Sequence, residues 1–358
     1  MPLDLSFSCW FFYLVWKAVY IYDDAANRLP NNALTYQTFG ACIGLAVIAL
    51  YVTRRHLARA IRKALTNDSS FDDSNEPMSY RTTILGTVVG ILLIMLFCNA
   101  AGMSVWAVLV FFGIYYTISL AITRMRAELG APVHELLYIG PDEIMPAMLG
   151  ARRIGPQNLT MSAFFYSFNS AYRGHPMPHQ LEGFKLAERT GTNNRRLLAA
   201  MLIATVVGTI SAFWAFYHIS YIKGVEDLRD WLAYDTFHRL ESWLGWPYQQ
   251  FADFPAIIVV VLGFISTLGL MFMRMRFLWW PFHPAGYVMS YSRSMDVLWF
   301  SILISSGIKW MLLKHGGRRT YRKLIPFFLG LILGEFVVGS LWSLIGIIVE
   351  RPMYRFLY

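Results

Sequence analysis

Val105-Trp-Ala-Val-Leu-Val-Phe-Phe-Gly-Ile-Tyr-Tyr-Thr-Ile-Ser-Leu-Ala-Ile-Thr-Arg-Met-Arg126 decides the fold. The apolar run 105–122 is as long as a helix that crosses about 30 Å of hydrocarbon, and it stops at Arg124-Met125-Arg126. The run 255–273 stops the same way, at Arg274-Met275-Arg276. After each tripeptide comes a proline-broken stretch, too apolar for an ordinary loop and too short for a full span. A span, a basic stop and a broken half-hairpin, used twice, is the pattern of transporter folds built from repeats around a midplane site.

The rest of the chain has the same character. It is 56% apolar and 15% charged over 358 residues, with mean hydropathy +0.44; soluble domains average about 25% charged. Seven full spans are expected at 3–20, 35–53, 82–100, 104–122, 197–219, 255–273 and 325–349. The runs are continuous rather than alternating, which excludes a strand barrel. The expected fold class is all-α: a polytopic helical membrane protein with about seven spans, two re-entrant or broken-helix elements and a parallel internal repeat. Spans three and four would open one copy, and spans five and six the other.

The net charge of +9 follows topology and implies no nucleic-acid partner. Loops 54–81, 123–196 and 274–323 hold most of the Lys and Arg, and loops 21–36, 101–103 and 220–254 only a few. The positive-inside rule then sets the N-terminus in the cytoplasm of a cell (inner) membrane protein and the C-terminus outside. Arg124, Arg126, Arg274 and Arg276 read as cytoplasmic stop signals. Cys9, Cys42 and Cys98 lie in or beside apolar runs and read as small packing residues. Asp4 stands where a signal peptide would carry bases, so no cleavable signal is expected. An opening so close to the first span implies a chain that begins partway through a larger design.

The domain scheme is a helical hairpin with an interfacial basic helix (1–66) and a polar linker (67–80). A span pair with the first broken element (81–196), a span pair with the second (197–323) and a last span (324–358) follow. Residues 54–65 place Leu57, Ile61 and Leu65 on one face of that basic helix. Segment 220–254, with Leu228, Trp231, Leu232, Leu240, Trp243 and Leu244 at near-helical spacing, reads as a helix on the outer interface or a lid. Pro132, Gly140, Pro141 and Pro146 break the first element; Pro281 and Pro284 break the second.

Glu335 is the leading functional candidate. A carboxylate at mid-span costs about 2.5–3.5 kcal/mol on insertion scales, so it normally faces a cavity or a partner. Lys309 is a candidate partner. Gly330, Gly334 and Gly339 flank Glu335, and Gly330-xxx-Gly334 offers a close-packing face. His134, Glu135, Asp142 and Glu143 decorate the first broken element, and His283 the second; Glu335, His283, His134, Glu135 and Lys309 are the expected substrate or ion pathway. Asp4 and Lys17, about 20 Å apart on one helix, cannot pair with each other; Lys17 is expected to snorkel.

No catalytic residues, metal or cofactor are expected. His175 and His179 could share a metal only on a helix, which Pro176 and Pro178 are expected to forbid. His134-Glu135 lacks the second histidine of a zinc protease, and no phosphate-binding Gly-Lys-Ser/Thr loop occurs. A lipid-acting enzyme would need His134, Glu135, His175 and His179 to converge.

Three passages, Pro2-Leu-Asp-Leu-Ser-Phe-Ser-Cys-Trp-Phe-Phe-Tyr13, Tyr172-Arg-Gly-His-Pro-Met-Pro-His-Gln-Leu-Glu-Gly-Phe-Lys185 and Arg274-Met-Arg-Phe-Leu-Trp-Trp-Pro-Phe-His-Pro-Ala-Gly-Tyr287, resemble an uncharacterised family of large polytopic prokaryotic membrane proteins. That family is itself similar to the oligopeptide transporter superfamily, and the chain resembles the C-terminal part of its longer members. The resemblance implies proton-coupled uptake of a small solute such as a peptide or metal chelate, with an N-terminal half or second membrane subunit as partner. It carries over no site residue. The rival expectation is a non-transporting scaffold subunit.

Overall fold

The computed structural model describes residues 1–26, 29–30, 32–66, 72–130, 135–136, 139–224, 231–245, 251–351 and 353. It is 84% helix, with no strands among the described residues, and seven helical stretches are long and apolar enough to cross a membrane. The chain is a multi-pass helical membrane protein. It divides into two compact units, Met1–Trp299 and Phe300–Tyr358.

The first unit is organised around α2 (Ala33–Thr66), whose first half is buried. Glycines set that packing. A Cβ on Gly40 would lie 1.9 Å from the Val260 carbonyl oxygen, and one on Gly263 2.0 Å from that of Gln37. Backbone-to-backbone approach therefore joins α2 to α12 (Phe254–Arg276) through Gly40, Gly44 and Gly263, the small-residue packing of membrane helices. On other sides of α2 lie α3 (Tyr80–Ala100) and α4 (Val105–Leu129).

Proline and glycine cut the first broken element into short helices. Pro141 opens α5 (Pro141–Leu149) and Pro156 opens α7 (Pro156–Phe164), at first-turn positions where the missing N–H has no intrahelical partner anyway. Gly150 and Gly155, both at φ +82, turn the chain around the four-residue α6 (Ala151–Ile154). Short α8 (Tyr166–Asn169) and α9 (Pro176–Thr190) complete the element.

The path of this element is fixed by what it touches. Met145, Ala151, Ile154 and Leu159 share one apolar cluster with Cys98, Met103, Val108 and Phe111, at the α3–α4 turn. Ser104 N donates to Asn158 Oδ1 at 2.8 Å. His175 is partway back, beside Tyr115 of α4, and Glu182 is at the other end of α4, where it pairs with Arg126 at 2.5 Å. The element thus runs the length of α4 and returns. Asp253 N, at the start of α12, donates to Ala147 O, so α4 and α12 begin at one face and both Arg-Met-Arg tripeptides lie at the other.

The second broken element climbs along α1 (Leu3–Ala26). Arg274 pairs with Asp4 at 3.0 Å, Phe282 packs among Phe7, Phe11 and Phe12, and Trp16 donates to Ser290 at 2.5 Å. Every residue of α13 (Pro284–Ser290) is buried. Helix α14 (Arg293–Met311) then starts beside Lys17. Helices α10 (Asn194–Lys223) and α11 (Trp231–Gly245) connect the two elements, and α11 lies on α7. Leu228 lies outside the described residues.

Two sequence expectations need correction. The basic stretch 314–323 is largely helical rather than a loop: a π-helical turn, Leu312–Gly316, leads from α14 into α15 (Gly317–Val349), and Gly317, at φ +65 and ψ −177, breaks the backbone direction at the junction. Pro176 and Pro178 do not forbid a helix. They occupy the first turn of α9, with His175 as its N-cap, because a proline ring is excluded only where its N–H and the preceding turn are needed.

Candidate functional site

The site residues expected from sequence divide between the two units, Glu335 and Lys309 in the second and His283 and Glu135 in the first. Glu335 is exposed on α15, and Gly330 and Gly334 have no atom within 4 Å of an added Cβ, while Gly339 is buried. Lys309 sits with its ammonium 5.2 Å from the Tyr321 ring, and no hydrogen bond or ion pair involves Glu335 among the described residues. His283 is buried and caps α13: its Nδ1 accepts from Ala285 N at 3.1 Å, and its backbone N–H donates to Ser8 Oγ at 2.7 Å. His134 lies outside the described residues. Glu135 is buried and paired with Arg173 at 2.6 Å.

Around Arg173 gather groups from α4 and α9. His179 meets the Arg173 carbonyl at 3.2 Å, and His175 Nδ1 meets Tyr115 Oη at 3.1 Å. Burial holds the His175 imidazole below its ordinary range, and His179 lowers it further. No group of three His, Cys, Asp or Glu side chains could hold a metal among the described residues.

The densest buried polarity lies at the break before α5. Asp142, in the first turn of that helix, is 1% exposed and pairs through Oδ2 with Arg239 Nη1 of α11 at 3.0 Å. Arg239 also reaches Glu143 at 3.4 Å and covers the Tyr166 ring at 4.2 Å; Asn32 donates to Glu143 at 2.9 Å. The other carboxylate oxygen, Asp142 Oδ1, faces the Asn169 amide across Gly140, and hydrogen bonding from that amide favours the carboxylate. The Tyr172 hydroxyl, which lies near enough to feel the Asp142 charge, has no hydrogen-bond partner among the described residues. Buried polar atoms are nearly always satisfied by protein or water, so such a group marks a place for water or a bound polar molecule.

Gly140 makes this arrangement fit. A Cβ there would lie 2.0 Å from Asp142 Oδ1 and 3.0 Å from Asn169 Oδ1. Burial pushes the Asp142 carboxyl up to about 7, against the pull of Arg239, and Glu143 adds to the rise. Burial also raises the Tyr172 phenol well above its usual range, with Asp142, Tyr115 and Cys42 contributing. Tyr172 lies against Tyr115, partway along α4, with ring centroids 5.8 Å apart.

A cavity of about 500 Å³ adjoins the cluster, with Glu143 in its wall and Asn32, Tyr36, Trp243 and Asp253 around it. The sequence marked Asp142 and Glu143 as part of the broken element. It gave no sign of Arg239, Asn169 or Tyr172.

The chain matches a family of unknown function (DUF6785) over residues 1–358, and it belongs to that family. Neither the comparison with curated proteins nor that with solved structures gives a match.

Proposed function

We propose that this membrane protein is a secondary transporter, or the C-terminal half of one, in which Asp142 exchanges a proton or cation as a small solute passes. The observation that supports this reading is the buried polar set Asp142, Asn169 and Tyr172 beside a broken helix, with the Tyr172 hydroxyl left without a partner among the described residues. Broken helices place solute and ion sites in many carriers, and a titratable group near physiological pH can change protonation within a cycle. The role given to Glu335 by sequence alone is less well supported, because no buried polar atom without a partner lies in its own unit among the described residues.

In this mechanism the solute occupies the 500 Å³ cavity, with Asn32, Tyr36 and Glu143 as polar contacts. Arg239 compensates Asp142 while the acid is ionised. When Asp142 takes a proton, its hold on Arg239 weakens and α11, over the cavity, is freed to move. The solute class implied by the family resemblance, a peptide or metal chelate, fits a site lined by both carboxylate and aromatic groups. The protein works in the cell membrane with both Arg-Met-Arg tripeptides facing the cytoplasm, and no catalytic step is proposed.

The test is flux into sealed vesicles with an imposed pH gradient, read by a trapped pH-sensitive dye while di- and tripeptide mixtures or ferric chelates are added. Solute-dependent proton entry should vanish in Asp142→Asn and persist in Glu335→Gln. No solute-dependent entry in the wild type, or full entry in Asp142→Asn, would overturn the reading.

A scaffold role has one observation in its favour. The apolar window of α10 is 0% buried within the chain and that of α3 only 6%, leaving apolar faces that lipid or a second membrane subunit would cover.

A further inference from the structure

The groove between α1 and the α13–α14 junction has the makings of a second binding site. Its volume is about 490 Å³, and its walls include Tyr13, Trp16, Tyr20 and Tyr291, with Lys17, Ser292, Arg293 and Asp296 among them. Lys17 Nζ donates to Asp296 Oδ1 at 2.9 Å, and Tyr13 Oη donates to the same oxygen at 3.1 Å. Lys17 and Asp296 are each about half exposed, at 48% and 46%, so both stay within reach of a ligand. Ser292 lines the groove, is 5% exposed, and its hydroxyl has no hydrogen-bond partner among the described residues. The groove therefore offers two cations, Lys17 and Arg293, one anion, Asp296, a spare buried hydroxyl and aromatic walls.

The choice of ligand follows from the charges. A simple anion drawn to Lys17 would strand Asp296, and a simple cation drawn to Asp296 would strand Lys17. A molecule carrying both an ammonium and an anionic group re-pairs both members of the Lys17–Asp296 pair, and its anionic end also faces Arg293. The Tyr13 ring, 5.0 Å from Lys17 Nζ, and the Trp16 ring are surfaces on which an ammonium rests favourably. Ser292 supplies a donor for the anionic end. The apolar remainder of the wall suits a ligand with a hydrocarbon portion.

We propose that this groove binds a zwitterion, its ammonium at Asp296 and its carboxylate or phosphate at Lys17 and Ser292. The chemistry is shared by an ethanolamine phospholipid headgroup and by a free amino acid or short peptide. The proposal does not rest on the Asp142 site or on transport.

The test uses the full chain in two arms. In the lipid arm, native mass spectrometry counts lipids retained from nanodiscs holding equal phosphatidylethanolamine and phosphatidylglycerol. In the soluble arm, thermal shift compares dialanine with N-acetyl-dialanine, which has lost the ammonium. Preferential retention of phosphatidylethanolamine, or stabilisation by dialanine alone, is the expected result, and whichever arm responds names the source. Asp296→Asn and Ser292→Ala should each weaken that binding about tenfold, the worth of one hydrogen bond to a charged group. Ser292→Ala removes no existing contact, so it carries the test even if Asp296→Asn fails to fold. No preference in either arm overturns the proposal, as does binding equal to wild type in Ser292→Ala.

Discussion

Asp142→Asn separates two forces that act on one buried carboxyl. Burial favours the neutral acid, while Arg239 at 3.0 Å favours the anion. The balance puts the Asp142 carboxyl at about 7 in the folded chain, against 3.8 in the unfolded one. Because the folded value is the higher, the folded state holds a proton that the unfolded state releases between those limits. Stability from this group is complete below pH 3.8, declines as pH rises, and is gone above about 7. The gap is worth about 4 kcal/mol in all, about half of it between pH 5 and 7. Asparagine has the shape of the protonated acid and does not titrate. Relative to wild type, Asp142→Asn should therefore gain stability as pH rises, by a few degrees in unfolding temperature from pH 5 to 7.5. Unfolding of both proteins in nanodiscs, followed by intrinsic fluorescence across that range, reads the difference. A gap that does not change with pH would mean that Arg239 holds Asp142 ionised throughout, and the coupling mechanism would lose its titrating group.

Three further outcomes follow from the same geometry. Arg239→Met should cost several kcal/mol at pH 8, where it strands a buried carboxylate, and clearly less at pH 5, where Asp142 is protonated; equal loss at both pH values would show the guanidinium acting by packing alone. Gly263→Ala should force α2 and α12 apart and destabilise by about 1–3 kcal/mol, whereas Gly334→Ala, with nothing within 4 Å of the added methyl, should be neutral; thermal unfolding of the two variants distinguishes them. Cys9, Cys42 and Cys98 are buried, so the folded protein should resist a membrane-permeant maleimide until it is denatured, and a Thr192→Cys variant should be labelled from the cytoplasmic side alone.

The spans were legible in the sequence because bilayer thickness imposes continuous apolar length, a one-dimensional property. Two of the breaks were legible for a similar reason: Gly140-Pro141 and His283-Pro284 act on the backbone next to them, whereas the Gly155-Pro156 break went unread and Pro146, read as a break, lies inside α5. What brings distant residues together was not legible. Asp142 meets Arg239, and Lys17 meets Asp296, by approaches that no local spacing records, and Lys17 read alone looked like a snorkelling base. Glycine patterns failed in the same way. Gly330-xxx-Gly334 and Gly40-xxx-Gly44 are alike in sequence, yet only the second has a helix against it in its own unit. Glu335 drew attention as a charge within an apolar run. The Asp142 cluster is instead marked by buried polar groups gathered at one break, a property of packing.

The central claim is that a water path reaches the buried polar set at the α5 break. Asn169→Cys, in a chain with Cys9, Cys42 and Cys98 replaced by alanine, tests it with a charged, membrane-impermeant thiol reagent added to one side of sealed vesicles at a time. The account predicts modification of position 169 from at least one side, slowed by a transported solute. No modification from either side, in protein that reacts fully once unfolded, would show the cluster to be sealed and would contradict it.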